Sequence, residues 1–338
     1  MEKQSTTPVK SNEDIVIRKT AKYHPSIWGD YFIHHTTSPA LTEVWIRAEE
    51  LKEQIKNFFR ETSDILQIMN LIDAIQLLGL DYHFEKEIDA ALSLISKHDA
   101  KNYELYETSL HFRLLRQHDF YVPAGIFSRT IVDVFNKFKD EEGNFMSTLN
   151  EDVKGLLSLY NAAYLRIHGE YILDEAILFT KNRLASLLDE LKQPLVILVS
   201  HFLETPLCRG NKRLLARKYI PIYQEEERRN EAILEFAKLD FNLLQSLHQE
   251  ELKKISIWWN DLALAKSLNF ARDRIVECYY WIHNVHFEPH YSRARLICTK
   301  VIALLSVLDD IYDNYSTLQE SQLLTEAIQR YLLHPLFC

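Results

Sequence analysis

The run Leu296 to Leu308 (LICTKVIALLSVL) is almost entirely apolar, and it leads directly into Asp309-Asp310-Ile311-Tyr312-Asp313. A helix of that composition is expected to be buried on most sides. Three carboxylates at its C-terminal end oppose the helix dipole, repel one another and carry a desolvation cost, so something cationic must compensate them. On an α-helix Asp309 and Asp313 share a face, with Asp310 about 100° around. Oxygen-only ligands at this spacing suit Mg²⁺, which keeps some of its water and completes its shell with substrate phosphates. The competing reading is an acidic helix end followed by a solvated loop.

Upstream, Ala271-Arg272-Asp273-Arg274 opens a helical stretch, IVECYYWIHNVHF, that stops at Glu288-Pro289. A helix of about 13 residues outward and one of about 18 residues back, from Tyr291 to Asp309, span roughly 20 and 27 Å. An antiparallel pair of such lengths brings Arg272 and Arg274 to the end that carries the aspartates. Guanidiniums facing a carboxylate-bound Mg²⁺ cluster form a clamp for a diphosphate. Direct pairing with the aspartates is the alternative, as is a surface network in which Arg272 and Arg274 bracket Asp273. Trp258, Trp259, Tyr279, Tyr280 and Trp281 would line the cavity between such helices, where aromatic faces stabilise a carbocation without attacking it. Aromatic stripes at helical spacing are also ordinary core, and Trp281 alone is singled out as a catalytic candidate.

The elements that must position these groups are helical. With only 7 Gly and 9 Pro in 338 residues, the chain has little provision for the positive-φ turns and phosphate loops that need glycine. No glycine falls in a G-x-G-x-x-G or G-x-x-x-x-G-K pattern and none follows Gly210, which excludes Rossmann and P-loop nucleotide binding. Apolar residues Leu41, Val44, Trp45, Ala48, Leu51, Ile55 and Phe58 recur at steps of three and four between a Ser38-Pro39 cap and Phe59. Ile65 to Leu78 ends at Gly79, and Phe84 to Ile95 and Ser109 to Arg116 continue in the same way. Gly125, Gly143, Gly155 and Gly169 are expected between helices. No alternating strand pattern competes, so the chain reads as all-α.

Length suggests two domains. Pro194, Pro206, Gly210 and Pro221 cluster, and the helices lengthen beyond them, which places a boundary near residue 215. Residues 1–36 are then a polar N-terminal segment, with 37–215 and 216–338 as the two domains. The charged run Gln224 to Asn230 reads as a solvated helix face. A net charge of −9 without a basic block argues against nucleic acid. Cys208, Cys278, Cys298 and Cys338 show neither a zinc spacing nor a disulfide framework, which fits a reducing compartment. The start of the chain lacks an apolar signal region, no apolar run reaches membrane-spanning length, and the expected address is the cytoplasm.

Beyond these readings the sequence resembles the plant terpene synthases, and among them the angiosperm sesquiterpene synthases, from about Arg18 to Arg330. Arg18-Lys19, followed after eight residues by Trp28, resembles the family's arginine-arginine-x8-tryptophan motif, with lysine in the second place. LIDAIQLLGLDYHFEKEI, DVKGLLSLYNAAYLRIHGEYILDEA, LLARKYIPIY, WWNDLALAKSLNFARDRIVECYYW and LLSVLDDIYDNYSTLQE are similar to family signatures. The resemblance implies an α/α-barrel-like N-terminal domain followed by the first part of a terpenoid-synthase helical bundle. It implies a lyase of isoprenoid biosynthesis that ionises farnesyl diphosphate with Mg²⁺, or Mn²⁺ in its place, and cyclises it to a sesquiterpene hydrocarbon. Asp309, Asp310 and Asp313 would form the metal-binding DDxxD motif, Arg272 with Asp309 and Asp313 would bind substrate, and Arg272 and Arg274 would draw off the diphosphate. The N-terminal strand would cap the site, and a monomer is expected. The D-x-D-D motif of protonation-initiated cyclases is missing.

The resemblance stops after TEAIQR, and the last eight residues, Tyr331 to Cys338, are unlike the family, so a C-terminally truncated chain is expected. The second metal motif, Asn/Asp-Asp-x-x-Ser/Thr-x-x-x-Glu, is not found. Asp313, Ser316 and Glu320 have its later spacing, but Tyr312 stands at the leading acidic position and the stretch overlaps the first motif. The rivals to an active synthase are a chain-elongating prenyltransferase, which would need a second aspartate-rich motif, and an inactive isoform that binds diphosphate weakly or associates with full-length synthases. An incomplete bundle would leave the apolar faces of the two catalytic helices exposed. Asp119 in RLLRQHDF stands where the family usually has glycine.

Overall fold

The computed structural model describes residues 23–36, 41–120 and 134–332. Arg18-Lys19, Ser38-Pro39, Gly125 and residues 333–338 lie outside the described residues. The described residues fall into two compact units, one drawn from 1–36 and 247–338 and the other from 37–246. The family expectation of an all-helical chain is met: among the described residues the only β-type pairing is an isolated bridge between Lys139 and Phe145.

In the unit from 37–246, α1 (Leu41–Glu61) buries Ala48, Leu51 and Ile55 at helical spacing, whereas Trp45 of the expected stripe is exposed. α2 (Ile65–Leu77) is capped by Asp64, whose carboxylate accepts from the Leu66 and Gln67 amides at 2.8 and 3.4 Å. It ends where Gly79 adopts φ +70° and the Leu80 amide turns back to the Ile75 carbonyl. α3 (Glu85–Ile95) follows. α4 (Leu105–Gln117) begins earlier than Ser109 because a capping box between Glu104 and Glu107 starts it there. Asp119, just past its end, has φ +48°. This is the left-handed region, which explains why the family favours glycine at the position and why aspartate, with its short polar side chain, is tolerated.

α5 (Val153–Ala163), α6 (Tyr171–Leu187), α7 (Leu195–Glu204) and α8 (Lys212–Gln224) complete this unit together with the start of α9 (Glu231–Asp261). Gly155 is not between elements. It lies in the first turn of α5, and its amide donates to the capping carboxylate of Asp152 at 2.8 Å. Pro221 is likewise inside α8 rather than at a break. Helix α2 touches α4 and α8, α4 touches α5, α5 touches α6, α6 touches α7 and α7 touches α8, so the six helices close a ring. Its buried contributions include Met69, Ile72, Leu114, Leu159 and Leu173, and burial of each such side chain is worth about 1.5–3 kcal/mol.

The other unit contains the rest of α9, α10 (Ile275–Val285), α11 (Ser292–Asp310), a π-helical turn Ile311–Tyr315 and α12 (Leu318–Leu332), with residues 23–36. α10 and α11 pack against each other with 11 and 19 residues, close to the lengths that the turn at Glu288-Pro289 predicts. Arg295, fully buried, grips Glu251 of α9 through Nε and Nη2 at 2.8 and 2.7 Å, and its Nη1 donates to the His286 and Glu288 carbonyls. The turn between α10 and α11 is thereby tied to α9. Cys208, Cys278 and Cys298 are all unpaired thiols.

Candidate functional site

α11 is buried along one stripe: Arg295, Thr299, Ala303, Val307 and Asp310. Leu296 and Ile302 are half-buried beside it, but Ile297, Val301, Leu304 and Leu305 stand exposed, contrary to a helix buried on most sides. Asp310 continues the buried stripe by three residues from Val307 and is only 1 % exposed. That phase is readable in the sequence once the stripe is known. The helix ends at Asp310, and the next turn is held by the Ser316 amide bonding five residues back to the Ile311 carbonyl at 2.9 Å. The α-helical spacing assumed for Asp309 and Asp313 therefore stops before Asp313.

The N-terminal end of α10 supplies the cation. The Arg272 backbone amide donates to Asp310 Oδ2 at 2.7 Å, and its Nε lies 2.8 Å from Asp310 Oδ1, though not aligned as a hydrogen bond. Arg272 Nη2 reaches Asp309 Oδ2 at 2.7 Å. Burial works against the Arg272 charge, but the bonds to Asp309 and Asp310 outweigh it and hold the guanidinium more firmly protonated than usual. Asp309 and Asp313 are exposed, and the Asp313 side chain makes no ion pair or hydrogen bond among the described residues. Of the three arrangements open for Arg272, direct pairing with aspartates is the one observed in the chain alone.

Arg274 does not join the aspartates. Its Nη1 donates to the Asp273 carbonyl and its Nη2 to the His24 carbonyl, both at 2.7 Å. The Asp273 carboxylate instead accepts from Trp259 Nε1 at 3.0 Å, so the two arginines do not bracket it. Residues 23 and 24 were not anticipated individually. The Tyr23 ring lies under Arg272, 5.2 Å from Cζ to the centroid, and its hydroxyl accepts from Asn314 Nδ2 at 3.2 Å. Burial and the nearby Asp310 carboxylate push the Tyr23 hydroxyl above its usual range. No local period signals these contacts, because they join residues far apart in the chain.

The five aromatic residues do not share one wall. Tyr279 is buried and donates to Glu251 at 2.6 Å, Trp259 is buried against Asp273, and Lys300 sits 4.8 Å over the Trp258 ring. Tyr280 and Trp281 are exposed. Among the described residues, no three His, Cys, Asp or Glu side chains converge on one point as a metal cluster does. The donors present nevertheless fit Mg²⁺ in its usual sparse mode of one or two carboxylates plus substrate oxygens, since Asp309 and Asp313 are oxygen donors open to solvent.

The chain matches two family models in order: the terpene synthase N-terminal domain over residues 27–203 and the terpene synthase family metal binding domain over residues 260–335. An alpha-humulene synthase of Zingiber zerumbet is 66% identical over 333 residues, which cover 98% of this chain and 59% of that protein. A limonene synthase solved with 2-fluorolinalyl diphosphate superposes with a TM-score of 0.85 at 36% identity, covering 93% of this chain and 59% of that one. Isoprene synthase from grey poplar leaves, solved with three Mg²⁺ ions and dimethylallyl-S-thiolodiphosphate, superposes at 0.78 with 39% identity over 86% and 55% of the two chains. The chain thus spans about three fifths of the relatives it matches. Family signatures along the sequence, the helical fold and both domain models agree, and the chain belongs to the terpene synthase family.

Proposed function

We propose that this chain carries the diphosphate-ionising residues of a cytoplasmic sesquiterpene synthase that acts on farnesyl diphosphate. The observation that carries the reading is Arg272 held against Asp309 and Asp310 where α10 begins and α11 ends. Similarity to an alpha-humulene synthase supports a fifteen-carbon substrate, and similarity to a Mg²⁺-bound isoprene synthase supports the metal. Asp309 and Asp313 would hold Mg²⁺, with Mn²⁺ able to replace it. The ion would neutralise the diphosphate as its bond to carbon breaks. Asp310 is assigned a positioning role: it fixes the Arg272 backbone through the amide, whatever the guanidinium does. The Arg272 and Arg274 side chains would then bind the departing diphosphate, and an exposed ring face leaves Trp281 open to the cation. The working division of the chain is a cap over 1–36, a helical domain over 37–215 and the catalytic segment over 216–338.

A second reading is an isoform that binds diphosphate without turning it over. The uncovered apolar side of α11 and the lack of three converging ligands among the described residues favour it for these 338 residues taken alone. Incubation of this chain with farnesyl diphosphate and Mg²⁺, followed by gas chromatography, separates the two. Hydrocarbon that disappears in Asp309→Ala establishes the synthase reading. No hydrocarbon from this chain, beside an active version extended to the relatives' length, overturns the first, and saturable diphosphate binding by the same chain would then establish the second.

A further inference from the structure

Residues 23 and 24 reach both charged clusters from far away in the sequence. The Tyr23 ring lies 5.2 Å from Arg272 Cζ, and its hydroxyl accepts from Nδ2 of Asn314, the residue after Asp313, at 3.2 Å. The His24 carbonyl accepts from Arg274. The stretch that carries these residues is itself tethered. Phe32 packs against the buried cluster formed by α9, α10 and α11, and Lys253 Nζ donates to the His35 carbonyl at 2.8 Å.

The other links between the segment at Arg272 and the turn at Asp313 fix backbone more than side chain. The Arg272 amide donates to Asp310, and the Phe270 and Tyr315 rings stack with centroids 3.6 Å apart. At the guanidinium, Asp309 and Asp310 face Nη2 and Nε, and Nη1 makes no hydrogen bond among the described residues. A ring contact restrains a guanidinium without occupying an N–H donor, so Nη1 stays open to an incoming oxygen. Because the hydroxyl of the same ring meets Asn314, one side chain sets Arg272 relative to the turn that carries Asp313. Tyr23 is 36 % exposed, so the ring is not there as core.

We propose that Tyr23 is a positioning residue: it holds the Arg272 guanidinium in register with the Asn314 turn, so that Arg272 and the turn meet one diphosphate together. The ring contributes more than the hydroxyl, because the ring is the part that touches the charge. A covering segment excludes water whatever its residues, whereas this role belongs to one side chain. What Arg272 receives rests on the diphosphate reading given above; the contact itself does not.

Two measurements on the full 338-residue chain test it. In the first, without metal or ligand, phenylglyoxal modification is followed at each arginine by peptide mass spectrometry. Tyr23→Leu should raise the rate at Arg272 by about fivefold, and Tyr23→Phe, which keeps the ring, should restore the slow rate. Arg295 is fully buried and should stay unmodified in every variant, a control that separates a released guanidinium from a loosened unit. In the second, titration calorimetry of inorganic diphosphate with Mg²⁺ should show affinity weaker by about tenfold in Tyr23→Leu and by no more than about threefold in Tyr23→Phe. An unchanged Arg272 rate in Tyr23→Leu, equal effects of Tyr23→Leu and Tyr23→Phe, a matching rise at Arg295, or unchanged diphosphate affinity in Tyr23→Leu would overturn the proposal. If the unaltered chain takes up no diphosphate, the diphosphate role of Arg272 falls, and the modification rates still decide whether Tyr23 positions it.

Discussion

Asp310 and Glu251 are each almost fully buried and each held by one arginine, but the two pairs have different consequences. Asp310 sets the backbone of Arg272 and so the position of the site. Glu251 holds the framework, since Arg295 links it to the carbonyls of the turn before α11. Arg295→Leu leaves a buried carboxylate unpaired and is expected to cost about 3–5 kcal/mol in urea unfolding, with much of that loss recovered in the double variant Glu251→Met/Arg295→Leu. If the double variant is no more stable than the single one, the charge pair is not what the single change disrupts. Burial raises the Glu251 carboxyl, but hydrogen bonds from Arg295, Ser292 and Tyr279 outweigh it and leave it below its usual value. A depressed folded value means that the stabilisation is present above the unfolded value, about 4.3, and is lost as the pH falls through the folded one. Unfolding midpoints measured from pH 7 down to 3 should therefore fall in the acid range, and less so in the double variant. The Glu251–Arg295 pairing is not legible in the sequence, because which of several charged residues meet depends on the helices brought together and not on spacing along one helix.

At the scale of elements, the helix-period pattern located α2 and α3 closely, and the turn at Glu288-Pro289 set the lengths of α10 and α11. Glycine is not uniformly a separator here. Gly79 does end a helix with positive φ, while Gly155 sits inside α5, where a Cβ would lie 2.0 Å from Asp152 Oδ2. Two effects oppose each other in Gly155→Ala. Helix propensity favours alanine by up to about 1 kcal/mol, and loss of the Asp152 cap costs about 0.5–2 kcal/mol. Because the Cβ also presses on Leu105 at 3.1 Å, the variant is expected to be less stable by about 1 kcal/mol. In an Asp152→Ala background the clash with the carboxylate is gone and only the Leu105 contact remains, so the same substitution should cost less than in the unaltered chain. Equal effects in both backgrounds, measured by thermal unfolding, would refute the capping account.

For the molecule as a whole, the exposed side of α11 is the main liability. Ile297, Val301, Leu304 and Leu305 form one apolar stripe that no described residue covers. Contiguous apolar surface of this kind drives association. The chain should therefore elute as oligomers in size-exclusion chromatography with light scattering, and Val301→Glu/Leu305→Lys should shift it towards the monomer without loss of helical signal. A monodisperse unaltered chain would show that the stripe is too small to matter.

The sequence by itself determined the helical class, the family, and the two charged clusters from which the candidate site is drawn, because these follow from local periodicity, scarce glycine and short motifs. It also determined that Arg272 and the aspartates meet, since helix length and one turn suffice for that. Only the tertiary structure decided that Asp310 and not Asp309 is buried, that Arg274 bonds to His24, and that Tyr23 lies under Arg272. Each of these depends on residues distant in sequence or on how closely helices pack, and a one-dimensional pattern carries neither quantity.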